Sequence, residues 1–508
     1  MNSVSQTARG ALAVSFRRLA SHPAAGWAIV GLGVLLRLRR FLTDRGLLHD
    51  EAQLATNVFS KTFGQLFRPL DLGDQAAPVG FLILQKCSIL CFGGGEWAIR
   101  LVPFVAAVFV LPLFFLTARK LAGAAIALAA TGWLALADPL VRYCAEGKQY
   151  STDVLWTTVL LALALGATTQ WDLTILAIVG GILLWFSHPL LFVAGGVGLS
   201  LFVEHLRSRN LRLAAIDIVV GMFWLASFSL NYLSISRHYV ANRYLTTYWA
   251  GAFAPVPGTW ANILWYPRTL LHLFDYPLGI APPKFIAISV VAAGVLIIGY
   301  VLLAHQRRAW WILSLTIVLA VAASALHRYP FAERLTLFLA PLLVLPLAFG
   351  LCANWRIGVG PAAVLRATLG AALFLYPVYL QAKYFIHPPV LYDVKPAIRY
   401  VRAHWQRGDV IYLHFGSDVV GRYYLRQPEL SLPDLAVVRG IYEPDSALRP
   451  QRYDSDLQLV RGHPRVWFVF SMAGEPDRQT YERILNQRGR LLDCHVYNGG
   501  AVELYDLR

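Results

Sequence analysis

Residues 78–92 read PVGFLILQKCSILCF, from Pro78 to Phe92, and whether this run crosses a membrane decides how the rest of the chain folds. It is about fifteen residues long, whereas a helix needs about 20 apolar residues to span hydrocarbon. It opens on a proline and carries Gln85 and Lys86 at its middle. Eleven other apolar runs accompany it, at roughly 24–42, 98–118, 121–137, 154–169, 173–187, 190–204, 212–233, 283–304, 309–326, 335–352 and 361–381. Basic residues concentrate in the gaps holding Arg119-Lys120, Arg207/Arg209/Arg212, Arg307-Arg308 and Arg356. Lys and Arg are retained on the cytoplasmic side of membrane proteins. If 78–92 spans, the Arg119-Lys120 and Arg307-Arg308 gaps fall outside. If it does not, every basic gap lies inside, together with the polar N-terminus Met1–His22 and its Arg9, Arg17 and Arg18. The charges therefore predict about eleven spans, with 78–92 an interfacial helix on the outer face and an uncleaved first span.

Composition agrees. Of 508 residues, 57% are hydrophobic and only 15% charged, against about a quarter charged in soluble domains; the mean hydropathy is +0.52. The net charge of +16 fits cytoplasmic loops beside anionic lipid. The basic residues are scattered over short loops and form no nucleic-acid motif. Of the five cysteines, only Cys494 lies in the polar tail, so the tail has no internal disulfide. Cys87 and Cys91 sit one turn apart in an apolar run and read as buried thiols.

The predicted orientation puts four long polar segments outside: Thr43 to Trp97, Asp138 to Asp153, Ser234 to Pro282 and Leu326 to Arg334. Function should sit on the long-loop side. The chain divides into a membrane part, 1–385, whose first outer loop is 43–97, and an outer tail, 386–508. In the tail, Tyr392 to Trp405 has helical spacing, Val410 to Leu413 and Val466 to Phe470 are strand runs, Thr480 to Asn486 is helical, and Ala501 to Tyr505 alternates like a strand. Such alternation predicts a small α/β domain with a parallel or mixed sheet. The predicted class is thus mainly α: a polytopic helix bundle with a C-terminal soluble α/β domain.

Three constellations could carry chemistry. His49-Asp50-Glu51 follows the first span, whose outer end carries Arg37, Arg39, Arg40 and Arg45 against the topological bias. Such a cluster signals either an anionic ligand or a local ion-pair network, with Asp50 as a plain helix cap the bland alternative. Arg142 to Asp153 packs four charged groups, Arg142, Glu146, Lys148 and Asp153, into twelve residues, along with Tyr143 and Tyr150. Interfacial anchoring explains its Arg and Tyr but not Glu146 and Asp153. Arg334, after Glu333, enters an apolar run, where a phosphate or an ion pair would satisfy it. Elsewhere, Glu96 and Arg100 stand at i,i+4 and could pair with each other, and His188-Pro189 caps the fifth span, where a lone histidine reads as structural.

The order of these motifs carries a resemblance. An adjacent Asp50-Glu51 precedes an Ala77-Pro78-initiated run, then Gly-Glu-x-x-x-Arg-Leu-x-Pro at Gly95 to Pro103, then Arg-Tyr-x-x-Glu-x-x-x-Tyr-x-x-Asp at Arg142 to Asp153, then Arg334 before an apolar span. This resembles the GT-C membrane glycosyltransferases of the protein O-mannosyltransferase type (family 39-like), which include the bacterial aminoarabinose transferases of lipid A. The resemblance covers the first 170 residues well and the rest by topology. It implies inverting transfer of one sugar from a polyprenyl-phosphate donor, such as an undecaprenyl-phosphate sugar, to a glycolipid, polysaccharide, glycan or protein acceptor. The reaction would run on the extracytoplasmic face of a bacterial inner membrane, in the cell envelope where lipopolysaccharide is modified. It implies Asp50 as general base with Glu51 beside it, Asp153 as a second cavity carboxylate, and Arg100, Arg334, Lys148 and Arg142 as candidates for the donor phosphate. His49, Glu146 and Tyr150 are further cavity candidates. A carboxylate speeds attack by a poor sugar hydroxyl, and fixed cations stabilise the charge a departing phosphate gains. The aminoarabinose branch has Lys-Pro where this chain has Ala77-Pro78, and Lys148 could supply that charge; a glycolipid or polysaccharide acceptor is favoured over protein. A divalent cation would be an option if Asp50, Glu51 and Asp153 converge, although the resemblance to the O-mannosyltransferase branch implies none. The competing reading is a transporter or flippase of lipid-linked saccharides. That reading expects broken helices and mid-membrane polar residues, whereas the polar groups here crowd one face. A scaffold that has lost catalysis fits less well with the retained carboxylates.

Overall fold

In a computed structural model, residues 23–282, 284–352, 361–390, 392–443, 448–471 and 475–508 are described. The N-terminal segment with Arg9, Arg17 and Arg18 and the gap with Arg356 lie outside them. Every apolar run of the sequence becomes a helix. The first is α1 (Pro23–Phe41), and the outer loop then forms α2 (His49–Ser60) and α3 (Val79–Phe92). The bundle continues through α4 (Glu96–Ala122), α5 (Ala124–Leu136), a short α6 (Asp138–Tyr143), α7 (Tyr150–Gly166), α8 (Gln170–Leu183), α9 (Leu190–Arg207) and α10 (Leu211–Asn231). Three helices, α11 (Arg237–Val240), α12 (Arg243–Tyr248) and α13 (Trp260–His272), cross the next long polar segment. The bundle closes with α14 (Ile286–Leu303), α15 (Arg307–Ala325), α16 (Ala340–Cys352) and α17 (Pro361–Ile386).

Among the described residues, seven helical stretches are long and apolar enough to cross a membrane by length and composition; one joins α16 to the 3₁₀ helix Glu333–Leu339 and another runs from α10 through α11. α5, α7 and α8 are shorter, at 13, 17 and 14 residues, and α1 carries three arginines. A count of eleven is therefore carried by the charge pattern and not by helix length.

The run that opened the sequence analysis behaves differently from the short bundle helices. α3 has 14 residues, about 21 Å at 1.5 Å per residue, short of the ~30 Å hydrocarbon core. Its Val79, Phe81, Leu82 and Ile89 are buried in a core shared with α2 and the C-terminal sheet, separate from the bundle core that holds α5, α7 and α8. Gln85 donates to the Ile99 and Gly147 carbonyls, and Lys86 donates to the Val58 carbonyl, so neither polar side chain needs a position in hydrocarbon. Leu90 and Phe92 point outward, exposed.

The tail is a small α/β unit: α18 (Lys395–His404), β1 (Val410–Leu413), α19 (Phe415–Leu425), β2 (Ala436–Arg439), α20 (Arg449–Gln458), β3 (Val466–Ser471), α21 (Glu475–Arg488), β4 (Arg490–Tyr497) and β5 (Gly500–Asp506). The strand order is β2-β1-β3-β5-β4. β1 pairs parallel with β2 and β3, and β5 pairs antiparallel with β3 and β4, so the sheet is mixed, as the alternation predicts. The strands read from sequence are the central ones. β2 and β4 sit at the edges with half their residues exposed, and an edge strand has no apolar run to betray it.

The tightest helix pair in the bundle is α14 against α16. A Cβ on Gly299 would lie 1.6 Å from the Pro346 carbonyl oxygen, and one on Gly350 would lie 2.0 Å from that of Val295. Small residues let membrane helices approach in this way. Gly299→Val is expected to cost at least the ~1–3 kcal/mol of overpacking, read as a lower unfolding temperature of the detergent-solubilised protein. Gly221→Ala, on a helix face with open space, is the control expected to leave that temperature unchanged.

Candidate active site

The first outer loop folds around one carboxylate. Glu51 lies in the first turn of α2 and is 1% exposed. Its oxygens meet Arg45 at 3.3 Å and Arg100 at 3.0 Å. They also accept the Leu48 N–H at 2.9 Å, as a capping-box residue does, and the Gly147 N–H at 2.8 Å. Burial alone would raise the Glu51 carboxyl. The guanidinium groups of Arg100 and Arg45 and these hydrogen bonds overcome that and hold it well below its ordinary range. Arg100 spends its remaining donors on the carbonyls of Arg45 and Gly46. Glu96, the expected i,i+4 partner of Arg100, turns instead to Lys395 and Tyr424 of the tail.

Asp50, the neighbour of Glu51, points into a cavity of about 350 Å³. His49, Gln53, Gln75, Lys148, Tyr150, Tyr244, Tyr248, Trp249 and Arg334 share its walls. Asp50 pairs with Arg334 at 3.5 Å. The Arg334 guanidinium lies 5.4 Å above the Trp249 ring and 5.9 Å above that of Tyr150, within cation–π range. Glu333, just before it, has φ +45°, a left-handed conformation that costs a non-glycine residue roughly 1–2 kcal/mol and that sets the direction in which Arg334 leaves the backbone. Lys148 reaches the cavity from the loop before α7. Its ammonium donates to the Gln75 side-chain Oε1, and Gln75 binds Gln53, which binds His49. Burial pulls the Lys148 ammonium down to about 8, with Asp50 opposing the shift. Burial likewise lowers the His49 imidazole.

The polar cavity opens into a second one of about 520 Å³, with which it shares Ala76, Gln149, Tyr150, Leu245, Trp249 and Leu335. This second cavity runs down α7 and is walled largely by apolar and aromatic side chains, Phe192, Phe228, Phe253 and Tyr329 among them. Asp153 lies here, beside Ser187 and His188.

The structure thus brings Asp50, His49, Lys148, Tyr150 and Arg334 to one polar cavity and Asp153 to its apolar neighbour. It assigns Glu51 and Arg100 to the buried cluster beneath. Arg142 and Glu146 pair with each other at 2.9 Å, one turn apart on and beyond α6, away from the cavity walls. Asp50, Glu51 and Asp153 form no three-residue cluster able to hold a metal ion among the described residues. Sequence reading missed Gln53, Gln75, Tyr244, Tyr248 and Trp249. The last three come from the aromatic-rich segment 234–282, whose length on the outer side was the one available signal.

No family model matches the chain, and no curated protein matches it by sequence. Solved structures do match in shape. ArnT from Cupriavidus metallidurans bound to undecaprenyl phosphate superposes with a TM-score of 0.54 at 15% identity, over 95% of this chain and 98% of that one. The chain has a GT-C fold. The apo state of ArnT (TM-score 0.41, 15% identity, 95% and 98% covered) and the Archaeoglobus fulgidus oligosaccharyltransferase complex with zinc and sulfate (0.49, 11%, 87% and 68%) match more loosely. The full-length overlap with ArnT includes the C-terminal α/β unit, so bundle and tail together make up the shared architecture.

Two outcomes are expected of this geometry. Glu51→Gln breaks a buried ion pair and leaves two arginines uncompensated, at a cost of about 3–5 kcal/mol; unfolding temperature and folded yield should both fall. Lys148, charged below about 8 and neutral above, should make anion binding weaken as pH rises through that value. Sulfate affinity, measured from pH 6 to pH 10 by calorimetry, is expected to drop by up to about tenfold per pH unit on the alkaline side, and Lys148→Arg should remove the drop.

Proposed function

We propose that this chain is an inverting glycosyltransferase that moves a single sugar from a polyprenyl-phosphate donor to a glycolipid or polysaccharide acceptor. The observation that carries this reading is Asp50 and Arg334 paired at 3.5 Å with Lys148 on the same cavity wall. A carboxylate able to take a proton stands beside two cations able to hold a phosphate, at the end of a helix bundle where a lipid can enter. The fold shared with ArnT, which is bound to undecaprenyl phosphate in its structure, supports the same donor class. In this reading, residues 1–385 form the membrane unit and 386–508 the soluble unit. Both the site and the tail face the periplasm of a bacterial inner membrane, the side on which the positive-inside rule leaves the long loops.

The chemistry follows from the three groups. The acceptor hydroxyl gives its proton to Asp50 as its oxygen attacks the anomeric carbon. The bond between that carbon and the phosphate oxygen breaks on the opposite face, which inverts the anomeric centre. Polyprenyl phosphate leaves with the electron pair, and Lys148 and Arg334 stabilise the added charge. Trp249 and Tyr150 hold the arginine face in place, so its position is set before the substrate arrives.

Asp50→Asn keeps the shape of the pocket and removes the base. It is expected to slow sugar transfer by about 10²–10⁴-fold, measured as release of free undecaprenyl phosphate from a sugar-bearing donor. Membrane insertion and unfolding temperature should remain as in the wild type, and undecaprenyl phosphate should still bind. Full activity in this variant would remove Asp50 from its role, and movement of donor across vesicles without bond cleavage would favour a flippase instead.

A further inference from the structure

Lys148 is buried, and its long stem brings one ammonium to the wall of the Asp50 cavity. Three side chains of the same wall continue from it as an unbroken hydrogen-bonded chain. The ammonium donates to Gln75 Oε1. The Gln75 NH₂ donates to Gln53 Oε1 at 2.9 Å, and the Gln53 NH₂ lies 2.9 Å from His49 Nε2. The direction of this chain is set by its first member. An ammonium has donors only, so Gln75 must turn its oxygen to Lys148 and its NH₂ away. Gln53 must then turn its oxygen to Gln75 and its NH₂ to His49, which accepts on Nε2 and carries its proton on Nδ1. The Gly73 carbonyl takes a second hydrogen from the Gln75 NH₂ at 3.1 Å and holds that amide in the same sense. The backbone is arranged around the chain. His49 and Gln53 stand one turn apart on α2. Asn57, one turn further on, accepts the Asp71 and Leu72 N–H groups at 2.9 and 3.1 Å and ties the segment 71–75 to the helix. Gly73 has φ +76°, and a Cβ there would lie 2.2 Å from the Gln53 amide, so glycine lets the segment close over Gln53.

We infer that Gln75, Gln53 and His49 are positioning residues, a one-way hydrogen-bond relay that fixes the Lys148 ammonium in place and keeps it charged. An ammonium on a flexible four-carbon stem has three donors, and holding one of them on Gln75 aims the other two. Each amide that donates onward is polarised into a better acceptor behind, so the relay opposes the burial that pulls Lys148 down to about 8. The relay needs a neutral histidine at its far end. The charged groups acting on His49 are Asp50 of its own helix, Asp418 of α19 and Lys148, with Asp74 and Arg334 elsewhere on the cavity wall. Burial outweighs the two carboxylates that act on His49 and lowers the imidazole, which leaves Nε2 free to accept. That the aimed donors serve a donor phosphate rests on the function proposed above; the relay itself rests on the hydrogen bonds.

The test reads the relay with no ligand present. Full-length protein in nanodiscs is acylated with acetic anhydride from pH 6 to pH 10, and the midpoint of Lys148 labelling is followed by mass spectrometry. The wild-type midpoint is expected at about 8. Gln75→Met removes the acceptor and should lower it by about one pH unit, the size of a hydrogen bond to a charged group. Gln53→Met and His49→Leu should lower it by less, in that order, because each breaks the relay one step further from the ammonium. His49→Gln returns a carbonyl acceptor near the place of Nε2 and should keep the wild-type midpoint. An unchanged midpoint in Gln75→Met, or a shift confined to that variant, overturns the inference. So does a fall in His49→Gln as large as in His49→Leu, which would mark a packing effect. Phosphate binding is read separately, as undecaprenyl phosphate affinity. If the midpoints move as expected while Lys148→Met binds undecaprenyl phosphate as tightly as the wild type, the relay stands and the proposed phosphate contact falls.

Discussion

Burying an isolated carboxylate costs several kcal/mol, and Glu51 is buried almost completely. Two guanidinium groups and two backbone N–H groups compensate that cost, and they come from three separate stretches of chain. Arg45 and Leu48 come from the start of the first loop, Arg100 from the start of α4, and Gly147 from the loop before α7. Satisfying one charge therefore helps fix the mutual position of three segments, which the bonds from Arg100 to the Arg45 and Gly46 carbonyls and from Arg45 to the Ala145 carbonyl reinforce. Asp50 leaves the first of these segments and Lys148 the third. The separation between the proposed base and the proposed phosphate ligand is thus set by a residue that touches neither. Gly147 has to be glycine in this arrangement, because a Cβ there would lie 2.5 Å from Ile99.

The other side of the same loop is held by the tail. Asp393 accepts the Gly46 N–H at 2.9 Å, the Tyr424 hydroxyl accepts the Leu47 N–H at 2.8 Å, and Lys395 bridges Asp44 and Glu96. Residues 44–48 are therefore gripped by Arg100 from the bundle and by α18, α19 and the residues just before α18 from the C-terminal α/β unit. α2, α3 and the sheet also share one hydrophobic core. A loop gripped from two faces loses little further entropy when a substrate binds, which is a condition for precise placement of a catalytic carboxylate. The tail acts here as a structural half of the loop that carries Asp50.

The helical architecture could be read without coordinates because hydrophobic length is a one-dimensional signal. In the run 78–92, Gln85 and Lys86 stand out in an apolar stretch, and both find backbone partners in the structure. The ionisable residues of the outer loops were equally visible, and five of them do meet at one cavity. What sequence could not sort was partnership. Glu96 and Arg100 have ideal helical spacing for each other, yet each has a better-satisfied partner elsewhere in the chain. Arg37 met the expectation of a topological anomaly without joining the acidic motif; it caps the Leu134 and Ala135 carbonyls. Gln53 and Gln75 were illegible for a different reason. A single neutral amide in an outer loop is ordinary, and only its partners in three dimensions make it informative.

The adjacent carboxylates at 50 and 51 show how little local geometry is needed to divide two roles. Successive residues on an α-helix point about 100° apart, since 3.6 residues complete a turn. At the first turn of α2 that rotation aims Glu51 at the arginines beneath the loop and leaves Asp50 facing the cavity. Two equivalent acids side by side would repel one another in either environment. Separated by the helix, one becomes a fully compensated buried charge, and the other keeps a 41% exposed side chain with one partner, Arg334 at 3.5 Å. A carboxylate held that loosely can trade its arginine for a substrate proton, whereas one held by four partners cannot. The chemical difference between Asp50 and Glu51 thus comes from their place on the helix and not from their side chains, and a one-residue slip of α2 that brought Asp50 into the buried cluster would carry Glu51 out of it.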